Sequence, residues 1–217
     1  MSYNLYLDII SQGIFSMDKT ISRKFFNDRA EHWDDTVRNN DAEQLRSLAD
    51  RIDLKDAYTI LDVGTGTGVF IPYIKEFINR SGKILSMDFA INMLLKAQFK
   101  FQPDDKLGYV CAEIESLNLD GSRFDAAICY STFPHFHDKP RALRNLARLI
   151  KSDGTLIICH SASKETINDI HRNIPHFQDH LIPANDEMQR LLAEAGFTQI
   201  EIDDGKDYYL ASARNNR

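Results

Sequence analysis

The chain has 217 residues, 43% apolar and 27% charged, the balance of a single globular domain with one sizeable core. Its 32 acidic against 26 basic residues leave a net charge of -6, which argues against a phosphate-tracking surface and so against a nucleic-acid partner. No apolar run approaches the roughly 18 residues of a membrane span, and the three cysteines, Cys111, Cys129 and Cys159, form neither a disulfide framework nor a C-x-x-C zinc pair, which fits the cytoplasm.

In chain order, the opening "MSYNLYLDIISQGIF" has no leading Lys or Arg and carries Asp8, so it does not read as a signal peptide. Residues 41–51 have helical spacing. Short β-rich runs then alternate with helical stretches. The runs are 59–64, 83–88, 107–112, 124–130, 154–161, 197–204 and 207–214; the helices are 69–80, 92–100, 141–151 and 186–195, the last closed by Gly196. Such alternation predicts an α/β fold: a doubly wound, seven-stranded, mostly parallel sheet with helices on both faces. Only about "GK" separates the last two runs, too little for a crossover, so they form an antiparallel terminal hairpin. Residues 161–187 are a long polar insert rich in His and Pro, with a helix predicted near 164–173. At the carboxyl edge of a sheet such an insert reads as a substrate lid.

The first strand runs into Gly64-Thr65-Gly66-Thr67-Gly68. Glycines there let backbone approach a ligand at the end of a strand. Asp62 is placed to accept hydrogen bonds from the backbone of that loop. The spacing is G-x-G-x-G, not the G-x-G-x-x-G of diphosphate-binding turns, and no basic residue lies in 62–70. The second strand ends on Asp88, suited to accept from two ribose hydroxyls. After the third strand comes Glu113-Ile114. Glu113 could accept an adenine amine, or be a solvated loop charge, while Ile114 and Met87 could sandwich the ring.

These stretches, "ILDVGTGTGVF", "SMDFAINMLLKAQFK", "AEIESLNL", "FDAAICYSTFPHFHD" and "LARLIKSDGTLIICHSA", resemble the successive motifs of the Rossmann-like S-adenosylmethionine-dependent methyltransferases, in particular the ubiquinone/menaquinone methyltransferase-like (type 11) group. The resemblance covers roughly residues 25–214. It implies S-adenosyl-L-methionine as cofactor, with Asp62, Gly64, Thr65, Gly66 and Gly68 at its methionine end, Asp88 on the ribose and Met87, Glu113 and Ile114 at the adenine. "FFNDRAEHWDD" resembles the family's helix over the cofactor, with Trp33 as its aromatic residue. Glu113 stands where Asp is commoner, and Ser152-Asp153-Gly154 replaces a Pro-Gly-Gly turn. The implied division of the single domain is a helical cap (1–53), a cofactor-binding core (54–160), the insert (161–187) and the terminal helix and hairpin (188–217).

Every histidine but His32 falls after the fourth or fifth strand or in the insert. Three readings stand side by side: loop and cap residues; acid–base work, with His135 or His160 as base and Tyr130 orienting; or a metal site using Asp138 or Asp179, for which tight ligand spacing is lacking, so no metal is assigned. Lys164, His171 and Arg172 could form a cationic spot, and Phe133, Phe136 and Phe177 an apolar wall. Cys129 or Cys159 could carry a reactive thiol. The expected function is methyl transfer to an O, S or C nucleophile of a small molecule. A non-catalytic S-adenosylmethionine- or S-adenosylhomocysteine-binding protein and an NAD-dependent oxidoreductase are the rivals. A homodimer stays open beside a monomer.

Overall fold

The computed structural model describes residues 17–36, 42–54, 57–117, 119 and 121–216. The segment judged against a signal peptide, 1–15, lies outside them. Helix α1 (Met17–Arg29) leads through a 3-10 turn (Ala30–His32) to the short α2 (Trp33–Thr36), then α3 (Ala42–Ala49). There follow β1 (Ala57–Val63), α4 (Ile71–Phe77), β2 (Ile78–Asp88), α5 (Ile91–Lys100), β3 (Leu107–Cys111) and β4 (Phe124–Tyr130). A 3-10 turn (Phe133–His135) precedes α6 (Lys139–Leu149), β5 (Ile150–His160), α7 (Lys164–Arg172), α8 (Asn185–Glu194), β6 (Phe197–Asp204) and β7 (Tyr209–Asn215).

The seven strands form one sheet in the order β3-β2-β1-β4-β5-β7-β6. The first five pair in parallel and β7 pairs antiparallel with both β5 and β6. The antiparallel end is as the short spacing requires, though the turn is four residues, 205–208, rather than two. The predicted helix over 69–80 stops at Phe77. From Ile78 the chain is already strand, pairing Ala57 with Ile78 before a bulge. Gly82 makes that bulge workable, since a Cβ there would lie 2.8 Å from the Ala57 carbonyl.

The central strands β1, β4 and β5 are buried on both faces over most of their length, and period-two alternation divides them between two cores. Leu61, Val63, Ala127, Cys129, Leu156 and Ile158 pack beneath α6 and α8. Ile60, Ala126, Ile128, Tyr130, Ile157 and Cys159 pack beneath α3 and α4. Helix α6 begins cleanly: Asp138 accepts from the Arg141 N–H at 2.9 Å and Pro140 fills its first turn. A third, smaller apolar cluster joins Phe26 and Ala30 of the cap to Ala90, Met93 and Phe177, so cap and insert meet over the carboxyl edge. Among the described residues no helix is long and apolar enough to cross a membrane.

Candidate active site

Strand order reverses direction between β1 and β4, and in open α/β sheets ligands bind beyond the carboxyl ends at that point. Two clefts of about 390 and 690 Å³ open there and share Gly64, Asp88, Phe89, Thr132 and His135.

The turn after β1 has its three glycines at φ 70°, 55° and 83°, a region costly for other L-residues. A Cβ on Gly64 would lie 2.1 Å from Thr132 Oγ1, whereas one on Gly66 would meet nothing within 4 Å. Gly64 therefore lets the β4 loop close in, and Gly66 leaves open space beside the larger cleft. The N–H groups of Gly64 and Thr65 donate to the Met87 carbonyl, at 2.7 and 2.9 Å. Those backbone groups therefore do not reach Asp62 as expected; its carboxylate accepts from Ser86 Oγ at 2.9 Å, with the Thr65 side chain also favouring its charged form. Burial raises the Asp62 pKa to about 6.

Asp88 accepts from the N–H groups of Gly66 and Ala90, both at 2.8 Å. Burial lifts its pKa to about 6 against the pull of those N–H groups. Each carboxylate oxygen has a second lone-pair direction, so two further donors can be accepted. Met87, Ile114 and Phe136 line the smaller cleft, as does Glu113. The Glu113 carboxylate is paired with Arg23 and, at 3.2 Å, with Lys19, both from α1. Lys19 also lies 3.6 Å from Glu115, which accepts from the His137 N–H at 3.0 Å. These cap-helix cations had no signature in the sequence.

Trp33 lines the larger cleft with Phe26, Phe89, Met93, Tyr130 and His135. Asp34 holds α2 in place: it accepts from Thr67 Oγ1 in the glycine turn and from Lys100 Nζ at 2.7 Å. Phe177 of the insert backs the cleft, 5.8 Å from Phe26 and 5.4 Å from His135 between ring centres. Phe133 is wholly buried in the core beneath α6.

His135 meets His180 of the insert with 3.1 Å between their Nδ1 atoms. One nitrogen donates and the other accepts, so Nε2 is the ring atom left to His135 for other partners. His171 Nδ1 donates to the His180 carbonyl. Burial, with His171, His180, His160 and Lys139 nearby, keeps the His135 pKa well below its ordinary value. Tyr130 stacks on Phe70, with ring centres 4.6 Å apart, and its hydroxyl meets Ser161 Oγ at 2.9 Å.

His160 is not brought to the clefts. It is 1% exposed, neither ring nitrogen has a hydrogen-bond partner, and burial lowers its pKa to about 3. The cationic spot does not form either: Lys164 is 2.7 Å from Asp204 and Arg172 is 2.6 Å from Asp169. Cys129 and Cys159 face opposite cores, and burial raises both thiol pKa values. Among the described residues no group of three His, Cys, Asp or Glu side chains is arranged to hold a metal.

The set can accept a vicinal diol at Asp88 and a flat ring between Met87 and Ile114. No Lys or Arg lines either cleft among the described residues, so the neutralising cation a diphosphate calls for is lacking.

The family profile described as "Methyltransferase domain" matches residues 61–158. The chain is 30% identical over 158 residues to malonyl-[acyl-carrier protein] O-methyltransferase of Bacillus cereus, covering 71% of this chain and 57% of that protein. It is 28% identical over 147 residues to ubiquinone/menaquinone biosynthesis C-methyltransferase UbiE of Escherichia coli, covering 63% and 58%. The chain thus spans little more than half the length of these relatives. Among solved structures, a SAM-dependent methyltransferase from Aquifex aeolicus superposes with a TM-score of 0.67 at 21% identity, over 87% of this chain and 98% of that one.

Proposed function

We propose that this chain, which belongs to the methyltransferase-domain family through residues 61–158, transfers a methyl group from S-adenosylmethionine to an oxygen, sulfur or carbon nucleophile of a small molecule. One observation carries the reading: the glycine turn, the Asp88 carboxylate and the His135 ring all border the two clefts that meet at the switch point. Bound S-adenosylmethionine supplies a methyl group already activated by its sulfonium charge.

The protein's part is positioning and desolvation. Gly64, Thr65, Gly66 and Gly68 cradle the amino-acid end, with Asp62 buried behind them. Asp88 takes the ribose hydroxyls on its spare lone pairs. Met87 and Ile114 flank the base, and Glu113 forms the same wall while anchoring α1. Trp33 covers the site from the cap. His135, neutral at pH 7 because burial disfavours its cation, takes the proton of a protic acceptor. Tyr130 braces the wall through Phe70 and Ser161. His160 remains a core residue in this reading.

The test pairs two variants. Asp88→Asn should weaken S-adenosylhomocysteine binding more than tenfold. His135→Ala should leave that binding within about twofold and remove turnover. Unchanged affinity in Asp88→Asn would overturn the ribose assignment.

A further inference from the structure

One hydrogen bond ties the insert to the 3-10 turn after β4, and both its ends are imidazole nitrogens: His135 Nδ1 and His180 Nδ1, 3.1 Å apart. His180 is held for this contact by backbone and by ring. Its N–H donates to the Phe177 carbonyl at 2.9 Å, and its own carbonyl accepts from His171 Nδ1. Its ring stands edge-on to Phe177, with centres 4.7 Å apart, and to His137, with centres 5.4 Å apart. His135 is held as well, since Lys139 Nζ donates to the carbonyls of Pro134 and Phe136 on either side of it, at 3.0 and 3.2 Å. Two residues 45 positions apart are thus presented to each other by separately anchored segments.

A neutral imidazole carries one ring proton, so a hydrogen bond between two of them sets both tautomers. If His180 donates, the His135 proton sits on Nε2, and that atom has no lone pair for an acceptor's proton. If His135 donates from Nδ1, its Nε2 is unprotonated and His180 keeps its own proton on Nε2. Only the second arrangement makes His135 a base towards the clefts it lines. Resting on the methyl-transfer reading, we infer that His180 is a positioning residue that holds His135 in the base-competent tautomer, with His135 Nδ1–H donating to His180 Nδ1. The proton of a protic acceptor passes to the lone pair of His135 Nε2. The acceptor's freed electron pair forms the bond to the methyl carbon, and the carbon–sulfur pair withdraws to sulfur. The His135 cation still donates from Nδ1, now through a charged hydrogen bond, which is stronger than the neutral one. His171, His180, His160 and Lys139 all act against a positive charge on His135, and His180 is the one that meets it with a lone pair at hydrogen-bond distance. The imidazolium then returns its proton to solvent.

The tautomer can be read without an acceptor. Protein labelled with nitrogen-15 in its histidines would be saturated with S-adenosylhomocysteine and its ring nitrogens observed by long-range nitrogen–proton correlation at pH 7. Loss of signals in His135→Gln assigns those of His135. We expect a protonated Nδ1 and an unprotonated Nε2 in the parent. In His180→Leu an Nδ1–H would face an apolar side chain and lack an acceptor, so the proton should move to Nε2. His180→Asn offers Oδ1 in place of Nδ1 and should restore the parent pattern. S-adenosylhomocysteine affinity should stay within twofold in both variants. A His135 proton on Nε2 in the parent would overturn the proposal. So would an unchanged pattern in His180→Leu, or no restoration in His180→Asn. Should His180→Leu fail to fold, the parent pattern decides alone. If S-adenosylhomocysteine does not bind, the methyl-transfer reading fails. If it binds and the tautomer is reversed, the cofactor site stands and the His180 assignment fails.

Discussion

Two glycines in one turn do different work. Gly64→Ala introduces both a strained φ and a Cβ 2.1 Å from Thr132 Oγ1, whereas Gly66→Ala introduces strain alone. Left-handed backbone costs a non-glycine residue about 1–2 kcal/mol. In urea titration Gly66→Ala should lose about that much stability and Gly64→Ala clearly more; equal losses would contradict the close approach of the β4 loop. The residue scale is also where the sequence was most and least informative. The glycine turn, Asp88, Met87 and Ile114 were legible because each occupies a fixed place relative to a strand end. Which of two histidines reaches a cleft was not. His135 and His160 both follow strands, but His135 lies beyond β4 in a 3-10 turn, while His160 is still in register with Tyr209 inside the sheet. Lys19, Arg23 and Asp34 were invisible for a similar reason, since their partners lie 94, 90 and 33 residues away.

Among the elements, α1 and the insert are the pieces added to the sheet. Helix α1 is held at its start by Glu113 and at its end through Asn27, which accepts from the Asn92 N–H at 2.8 Å. Glu113→Gln removes the charge that Lys19 and Arg23 share, a change worth about 1.5–3 kcal/mol for hydrogen bonds to charged groups. We expect faster amide exchange across α1 and faster release of S-adenosylhomocysteine. Unaltered exchange there would mean that the apolar contacts of Phe26 and Ala30 hold the helix alone. The insert supplies His180 and Phe177 behind His135. His180→Ala should lower kcat at least tenfold, shift the pH profile of kcat/KM and leave cofactor affinity unchanged, with partial rescue by His180→Asn. A loss confined to KM would assign His180 to acceptor binding. Element existence was readable from alternating apolar runs, because the seven strands carry the cores. The early start of β2 was not, since Ile78–Gly82 lacks a β pattern and follows the register with Ala57.

For the whole molecule, the buried titratable groups oppose one another in acid. His160 is depressed to about 3, so the stability it allows is present above about 6.5 and lost as pH falls towards 3. Asp62 and Asp88 are raised to about 6, so their contribution is present below about 3.8 and lost as pH rises through 6. Between pH 4 and 6 the slopes partly cancel, and His160→Phe should remove one of the histidines that oppose the carboxylates, leaving His135 and His171, which burial also depresses. The variant should be as stable as the parent at pH 8, since two partnerless nitrogens are removed. It should be more stable at pH 5, by up to about 1.4 kcal/mol per pH unit of proton uptake avoided. An equal loss for both proteins between pH 8 and 5 would show that His160 does not titrate on unfolding. Ionised Asp88 and clefts that no Lys or Arg lines among the described residues favour a sulfonium nucleotide over a dinucleotide, a preference read by calorimetric titration with S-adenosylmethionine, S-adenosylhomocysteine and NAD. One-to-one binding of both sulfur nucleotides is expected, weakening below pH 6 as Asp88 takes up a proton, with no heat from NAD. Binding of NAD alone would contradict it.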